Sequence, residues 1–265
     1  MWYLGRLYVA ELRRRLALLR RYALGTAADI VAFYLIFMGI FLSMRSVLGE
    51  MRPEELTRLA TAQVVGFLAF YFASMVLSFV NNHLREEVEQ GTLEQLFVSS
   101  RWFIVVLCAR LAASFTVDIL RFVPLCLLLI VSTGVRIRFP PASALVFVML
   151  LLGVYGFALV LGGFTLLFKR TGQLPFLFQV LFLGFGFSSL SQLPKGLETF
   201  MSFLPFARGV TLLKEIAVGG VAEPALNSLS FLQLVGNTAA YVIGGVAFFL
   251  WIERLAKQRG LLGRY

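Results

Sequence analysis

Residues 143–168 read SALVFVMLLLGVYGFALVLGGFTLLF and contain no charged side chain. A helix of about 20 apolar residues crosses the hydrocarbon core of a bilayer, which is about 30 Å thick. An uninterrupted apolar stretch of this length is longer than a helix on a soluble core requires. The stretch therefore predicts a transmembrane helix, and it decides the fold class.

Five other apolar stretches occur on either side of this one. The predicted spans cover residues of about 28–47, 61–81, 112–134, 143–168, 174–191 and 229–252. The composition agrees, because 59% of the 265 residues are hydrophobic and 14% are charged, whereas soluble domains are about half apolar and about a quarter charged. We therefore expect an all-α membrane protein with six transmembrane helices in a single domain, residues 1–265.

The N-terminal segment, residues 1–27, combines apolar and basic residues at helical spacing. The apolar positions are Leu4, Leu7, Tyr8, Leu12, Leu16 and Leu19, and arginines occupy much of the remainder. Such a segment is too charged for a cleavable signal peptide. It predicts an amphipathic helix on the anionic inner leaflet, the alternative being a solvated lead-in.

The distribution of Lys and Arg predicts the orientation of the chain. Six arginines lie within residues 6–21, against the single acid Glu11, and further basic residues follow the fourth and sixth spans. Basic residues concentrate in cytoplasmic loops. We therefore expect both termini in the cytoplasm and the chain in the plasma membrane. The net charge of +10 is explained by this orientation, without nucleic-acid binding.

The segment between the fifth and sixth spans, residues 192–228, is long and half apolar. Pro194 and Pro205 divide it, and Leu197, Phe200 and Met201 form one helical face. Non-helical backbone at membrane depth has to be shielded by protein. This segment therefore predicts short re-entrant helices in the outer leaflet, just before the last span.

The loop after the second span, residues 82–101, is the most patterned polar stretch. Gly91 can end a helix in the left-handed conformation, and Thr92 with Gln95 fits a capping box for a new helix. Leu93, Leu96 and Phe97 give that helix an apolar face. Glu86, Glu87, Glu89 and Glu94 make the loop locally acidic. The acids suit a basic groove on a protein partner, although they also fit a solvated turn.

The sequence EVEQGTLEQLFV at residues 87–98 resembles the cytoplasmic loop of ABC-2-type ABC transporter permeases. The family pattern is close to E-x-E-x-G-T-L-E-Q-L. The matching residues are Glu87, Glu89, Gly91, Thr92, Leu93, Glu94, Gln95 and Leu96. A weaker second motif of the family is similar to Leu204-Pro205 followed by Leu212, Leu213 and Lys214. The resemblance extends in outline over the whole chain.

The resemblance implies an exporter subunit whose energy comes from a partner. In this family the loop is a coupling helix that docks on a separate ATP-binding subunit, so residues 86–97, from Glu86 to Phe97, would make the contact. This chain contains no G-x-x-x-x-G-K-[ST] sequence, so the resemblance places ATP and Mg on the partner. The assembly would hold two ATPase subunits and two permeases, either a homodimer or a pair of paralogues.

The function that follows is outward transport of an amphipathic, lipid-like or glycan substrate by alternating access. The alternative is a membrane channel or scaffold protein without ATP coupling. His83 is the only histidine and lies in the polar loop. We therefore expect no catalytic residues, no metal site and no cofactor bound by this chain.

Five side chains within the spans are candidates for the substrate pathway. Asp118 and Arg121 are three residues apart and can pair on one helix face. The alternatives are a structural pair, near the cytoplasmic end of the third span or at a helix interface, and a snorkelling arrangement with Arg110. Phe178, Phe182 and Phe185 could line an apolar path, and the alternative is that they are packed or lipid-facing aromatics.

Overall fold

The computed structural model describes residues 2–48, 52–89, 103–135, 137, 139–168, 173–188, 194–219 and 228–258. Every regular element within these residues is an α-helix. In chain order the helices are α1 (Trp2–Arg21), α2 (Ala23–Leu48), α3 (Pro53–Glu89), α4 (Phe103–Thr133), α5 (Pro141–Phe168), α6 (Leu174–Phe187), α7 (Lys195–Ser202), α8 (Ala207–Gly219) and α9 (Leu229–Gln258).

Five of these helices, α2, α3, α4, α5 and α9, are long and apolar enough to cross a membrane. The prediction of an all-helical, multi-pass membrane protein is confirmed at that level. Among the described residues of the predicted fifth span, 174–188, the helix is α6, which has 14 residues. A helix of that length measures about 21 Å, which is shorter than the hydrocarbon core of about 30 Å. Six full-length spans are therefore not confirmed.

Several helices extend beyond the apolar stretches that predicted them. Helix α3 begins at Pro53 and α4 begins at Phe103, each about eight or nine residues before the predicted span. Backbone hydrogen bonding continues wherever nothing interrupts the helix, whereas hydropathy marks only its apolar part. The N-terminal helix ends at Arg21, and its bend at Tyr22 precedes the expected boundary at residue 27.

Helix α3 lies at the centre of the fold. It packs against α2, α4, α5, α6 and α8. Of its most apolar 18-residue segment, 83% is buried, whereas 11% of the corresponding segment of α2 is buried. Aromatic side chains supply much of this core, with Phe37 stacked on Phe41 and edge-to-face contact between Phe33 and Tyr71. The peripheral helices α2, α4 and α9 leave large apolar side chains exposed, as lipid-facing helices do.

Helices α5 and α9 run parallel to each other. Gly153 of α5 is next to Thr238 of α9, and ten residues farther along α5, Gly163 is next to Phe248. Two parallel spans require the chain to return across the bundle between them. The residues available for that return include the short helices α6, α7 and α8, so α6 must contribute to the crossing although it is too short to complete it.

The other helix directions place both ends of the chain at one end of the bundle. Helix α2 is antiparallel to α3, and α3 is parallel to α5. The contacts that show this are Phe33 with Tyr71, Met44 with Gln63, Phe72 with Phe147, and Asn81 with Thr165. The start of α2 therefore lies at the same end as the last residues of α3, α5 and α9, so α1 and the C-terminal end of α9 share that end.

Glycines allow the parallel helices α5 and α9 to touch along their backbones. A methyl group added at Gly245 would overlap the carbonyl of Gly156, and one added at Gly156 would overlap the carbonyl of Tyr241. Gly244, the residue before Gly245, has open space around the same position. Small residues permit this kind of close packing in membranes.

We expect Gly245→Ala to destabilise the protein by about 1–3 kcal/mol, because overpacking forces the two helices apart. Gly244→Ala is the matched control and should leave stability unchanged or slightly higher. The measurement is the thermal unfolding midpoint of the purified protein in detergent. Equal midpoints for the two variants would contradict backbone contact between α5 and α9.

Candidate coupling region and buried polar sites

The predicted coupling region begins on a continuous helix. Helix α3 remains helical through Glu89, so the backbone of Glu86, Glu87 and Glu89 forms its last turns. The next described residue after Glu89 is Phe103, at the start of α4. The following predicted coupling residues lie outside the described residues: Gly91, Thr92, Leu93, Glu94, Gln95, Leu96 and Phe97.

Two side-chain contacts join α1 to α4, the helix that follows the predicted coupling loop. The hydroxyl of Tyr8 is 2.8 Å from Thr116 Oγ1, and Arg15 Nη1 donates a hydrogen bond of 3.2 Å to Ser114 Oγ. Ser114 is eleven residues beyond the start of α4 at Phe103, or about 17 Å along the helix. These contacts therefore lie about three helical turns beyond the first residue of α4.

The predicted pair of Asp118 and Arg121 belongs to a larger polar network. Arg121 Nη1 is 3.9 Å from Asp118 Oδ1. Ser114 Oγ donates to Asp118 Oδ2 at 3.3 Å, and Arg15 of α1 donates to the same serine. The network thus joins α1 to α4 through one carboxylate and two guanidiniums. This arrangement matches the structural alternative for the pair.

Arg15 is the member of the network that comes from outside the spans. Its guanidinium carbon lies 4.5 Å from the centre of the Phe79 ring, a cation–π distance. Its Nε atom is 3.6 Å from Glu11 Oε1. Burial lowers the pKa of Arg15, and the charge of Glu11 opposes that shift. The guanidinium is therefore partly desolvated and only loosely compensated.

The three aromatic candidates of α6 pack within the bundle. Phe182 is fully buried and stacks on Phe206, with ring centres 4.7 Å apart. Phe178 meets Phe157 edge to face at 4.7 Å, and Phe185 is also buried. In this conformation their contacts are those of the packed-aromatic alternative. A role for them in the substrate pathway stays a prediction.

Lys214 secures the C-terminal end of the short helix α6. Its Nζ atom donates hydrogen bonds of 2.8 Å to Phe185 O and 2.7 Å to Ser188 O. The last carbonyls of a helix have no partner within the helix, and a cation is favourable at that end. The buried side chain of Lys214, which comes from α8, thus supplies donors to the carbonyls at the end of α6.

Lys214 reaches this position because glycines make room for it. A methyl group at Gly66 of α3 would overlap the carbonyl of Gly186 and press on the Lys214 side chain. Helices α3 and α6 also meet through a polar contact, because Gln179 Nε2 of α6 donates a hydrogen bond of 2.8 Å to Ser78 Oγ of α3. Helix α6 is thus held to α3 by the hydrogen bonds of Gln179 to Ser74 O and Ser78 Oγ and by one close backbone approach at Gly66 and Gly186.

Sequence reasoning did not identify Lys214 as a helix cap or Arg15 as a partner of Asp118. Both interactions join residues far apart in the chain, and no local pattern encodes them. A signal for the first was present, since Lys214 stands among Leu212, Leu213 and Ile216. A buried ammonium needs hydrogen-bond partners.

We expect Lys214→Met to lower stability by roughly 2 kcal/mol, because two buried carbonyls lose a charged donor. Lys195→Met removes the same charge from an exposed position on α7 and should have no measurable effect. Thermal unfolding in detergent compares the two variants. An unchanged midpoint for Lys214→Met would show that the end of α6 does not depend on the cap.

A comparison with models of protein families found none that matches this chain, and a comparison with curated proteins found no significant match. The assignment of a function therefore rests on the residues and contacts of the chain itself. Those include the acidic loop after α3, the half-length helix α6 with its lysine cap, and the polar network between α1 and α4.

Proposed function

We propose that the chain is the membrane-spanning subunit of an ATP-driven exporter of the ABC-2 type. The observation that carries the proposal is the sequence EVEQGTLEQL at residues 87–96. It combines a helix stop at Gly91, a capping box at Thr92 and a short apolar face among carboxylates. These are the features of a small helix built to dock on a partner beside the membrane.

The helix directions support a cytoplasmic position for this loop. The end of α3 that leads into the loop, the start of α2 and the C-terminal end of α9 lie at the same end of the bundle, which is also the end that carries the arginines of α1. By the positive-inside rule that end faces the cytoplasm. ATP is available there, and both chain termini are placed on the same side as the partner ATPase.

Helix α3 is suited to carry motion from the loop into the bundle. It is continuous over 37 residues from Pro53 to Glu89, and it packs on most of the other helices. Hydrolysis of ATP on the partner supplies the energy. A displacement of the loop would shift the cytoplasmic end of α3, and its packed neighbours would have to move with it.

The short helices between α5 and α9 support the predicted re-entrant segment. Helix α8 buries Gly209 against Leu150 of α5 and places Lys214 against α3 and α6. Of the helices that α8 contacts here, α3 and α5 are long enough to span the bilayer. We propose that α6 rises partway from the cytoplasmic side and that the following segment, with α7 and α8, lies in the outer leaflet.

The assembly we propose holds two copies of this chain and two ATPase subunits. Large apolar side chains remain exposed on α2, α4 and α9, which leaves apolar surface for lipid and for a second permease. The substrate we propose is amphipathic, lipid-like or a glycan. An apolar cavity of about 460 Å³ between α3, α4 and α5, lined by Phe72, Phe115 and Phe147, suits an apolar portion of such a molecule.

We expect Glu94→Arg to abolish the ATPase activity that copurifies with the tagged chain, because the new charge opposes a basic docking groove. Glu55→Arg makes the same change at an exposed position near the opposite end of α3, and it should retain the activity. The measurement is ATP hydrolysis per tagged chain after mild solubilisation.

Two results would contradict the coupling role. The first is unchanged ATPase activity in Glu94→Arg. The second is absence of any copurifying ATPase with the wild-type chain after chemical cross-linking in the membrane, which would favour a channel or scaffold without ATP coupling.

The proposed topology predicts opposite accessibility for the two ends of the bundle. A cysteine replacing Glu54, which is exposed at the start of α3, should react with an impermeant maleimide in intact cells. A cysteine replacing Gln258, exposed near the end of α9, should react only after permeabilisation. Labelling of both cysteines in intact cells would contradict a cytoplasmic C-terminal end.

A further inference from the structure

A polar cavity of about 280 Å³ lies between α1, α3 and α4. Its walls include Arg15 of α1, Ser78 and Asn82 of α3, and Ser114, Asp118 and Arg121 of α4. This volume is many times the roughly 10–15 Å³ of the same measure that one water molecule needs. It is thus large enough for a polar group, and its walls already hold donors for one.

The donors in this cavity are incompletely used. The Nε atoms of Arg15 and Arg121 are buried and have no hydrogen-bond partner among the residues that the structure describes. The ion-pair distances to Glu11 and Asp118 are 3.6 Å and 3.9 Å. Charge-assisted hydrogen bonds between guanidinium and carboxylate are about 2.7–2.9 Å long, so the two carboxylates do not take up the capacity of the guanidiniums.

The charge in the cavity favours an anion. Arg15 and Arg121 face one carboxylate on the walls, Asp118. Glu11 contacts Arg15 from outside the cavity, but it also contacts Arg14 at 3.6 Å. Each guanidinium offers five N–H donors in a planar fork that matches phosphate oxygens. A phosphate group in this cavity would offer oxygens to both guanidiniums, because Arg15 and Arg121 line the same space.

The position of the cavity selects the source of the phosphate. It lies where α1, with its exposed Arg13, Arg14, Arg20 and Arg21, crosses α4. A basic amphipathic helix of this kind occupies the headgroup level of an anionic leaflet. Apolar side chains complete the walls, with Leu18 on α1 and Met75 on α3. They would accompany the start of an acyl chain.

We propose that this cavity binds the phosphate headgroup of an anionic phospholipid from the cytoplasmic leaflet, held between Arg15 and Arg121. The side chains remain reachable, since that of Arg121 is 29% exposed and that of Arg15 is 22% exposed. The bound lipid connects α1 to the α3 and α4 pair that flanks the predicted coupling loop. The binding site does not depend on the exporter proposal, because no step of ATP coupling enters the argument.

The test is a titration of the delipidated, detergent-purified full chain with phosphatidylglycerol, read by native mass spectrometry and by thermal stabilisation. We expect one phosphatidylglycerol to bind roughly tenfold more tightly than phosphatidylcholine with the same acyl chains, because only the former has a net anionic headgroup. Equal binding of the two lipids would overturn the proposal, since it would show that the acyl chains alone drive association.

Substitutions of single arginines test whether the lipid binds in this cavity. Arg121→Gln and Arg15→Gln should each weaken phosphatidylglycerol binding roughly tenfold, the loss of one charged hydrogen-bonding group. Arg14→Gln is the matched control, because Arg14 is next to Arg15 and its side chain is 62% exposed; its binding should stay within about twofold. Equal weakening in all three variants would indicate surface attraction and contradict a specific cavity.

Neutralising the carboxylate in the cavity should have the opposite effect on phosphatidylglycerol binding. Asp118→Asn removes repulsion of the phosphate and should tighten phosphatidylglycerol binding about threefold. A purely structural role for Asp118 would weaken binding or leave it unchanged, and either result counts against the proposal.

Inorganic phosphate separates a lipid site from a site for the free ion. We expect that millimolar inorganic phosphate neither stabilises the protein nor displaces phosphatidylglycerol, because it lacks the acyl chains that Leu18 and Met75 would contact. Displacement at that concentration would assign the cavity to a free anion. If an arginine variant does not fold, the three wild-type titrations still decide the proposal.

Discussion

The architecture of this protein depends on the hydrogen bonds of Lys214 at the end of α6. Because α5 and α9 run parallel, the chain has to return across the bundle between them, yet α6 has only 14 residues. Its C-terminal carbonyls therefore end inside the bundle, where they need a donor. Lys214 supplies two hydrogen bonds from α8, and the short helices thereby complete a crossing that one full-length helix would otherwise make.

The lysine cap and the backbone contacts serve the same purpose. Gly66 and Gly186 bring α3 and α6 together beside the ammonium, and Gly156 and Gly245 bring α5 and α9 together elsewhere in the bundle. Helices surrounded by lipid gain little from apolar burial against each other, so close packing and internal polar bonds decide their arrangement. The peripheral helices α2 and α4 expose apolar side chains.

Two groups of charged residues lie at different levels of the bundle. Lys214 lies inside the bundle, where it stabilises the C-terminal end of the short helix α6. Arg15, Asp118 and Arg121 serve the end that carries α1, where guanidiniums remain partly unsatisfied. The second group lies close to the helices that flank the acidic loop. An anionic lipid in that cavity and an ATPase on that loop would therefore act on the same two helices, α3 and α4.

Local sequence determined the membrane class, five of the spanning helices and the acidic loop with its capping pattern. Apolar length and capping chemistry are properties of consecutive residues, so a single sequence states them. The apolar stretches did not determine where the helices begin. Helices α3 and α4 start before their apolar stretches, because backbone hydrogen bonding does not stop where hydropathy does. The predicted span at 174–191 was also too long, since α6 ends at Phe187 and the serines that begin at Ser188 follow it.

Only the tertiary structure decided which polar residues meet. Residues 188 and 214 are far apart in the chain, as are Arg15 and Asp118, and no spacing rule links them. The parallel arrangement of α5 and α9 likewise follows from glycine contacts between separate helices. The physical reason is that packing between helices decides which residues meet. It also decides which carbonyl or carboxylate lies close enough to a buried charge to interact with it.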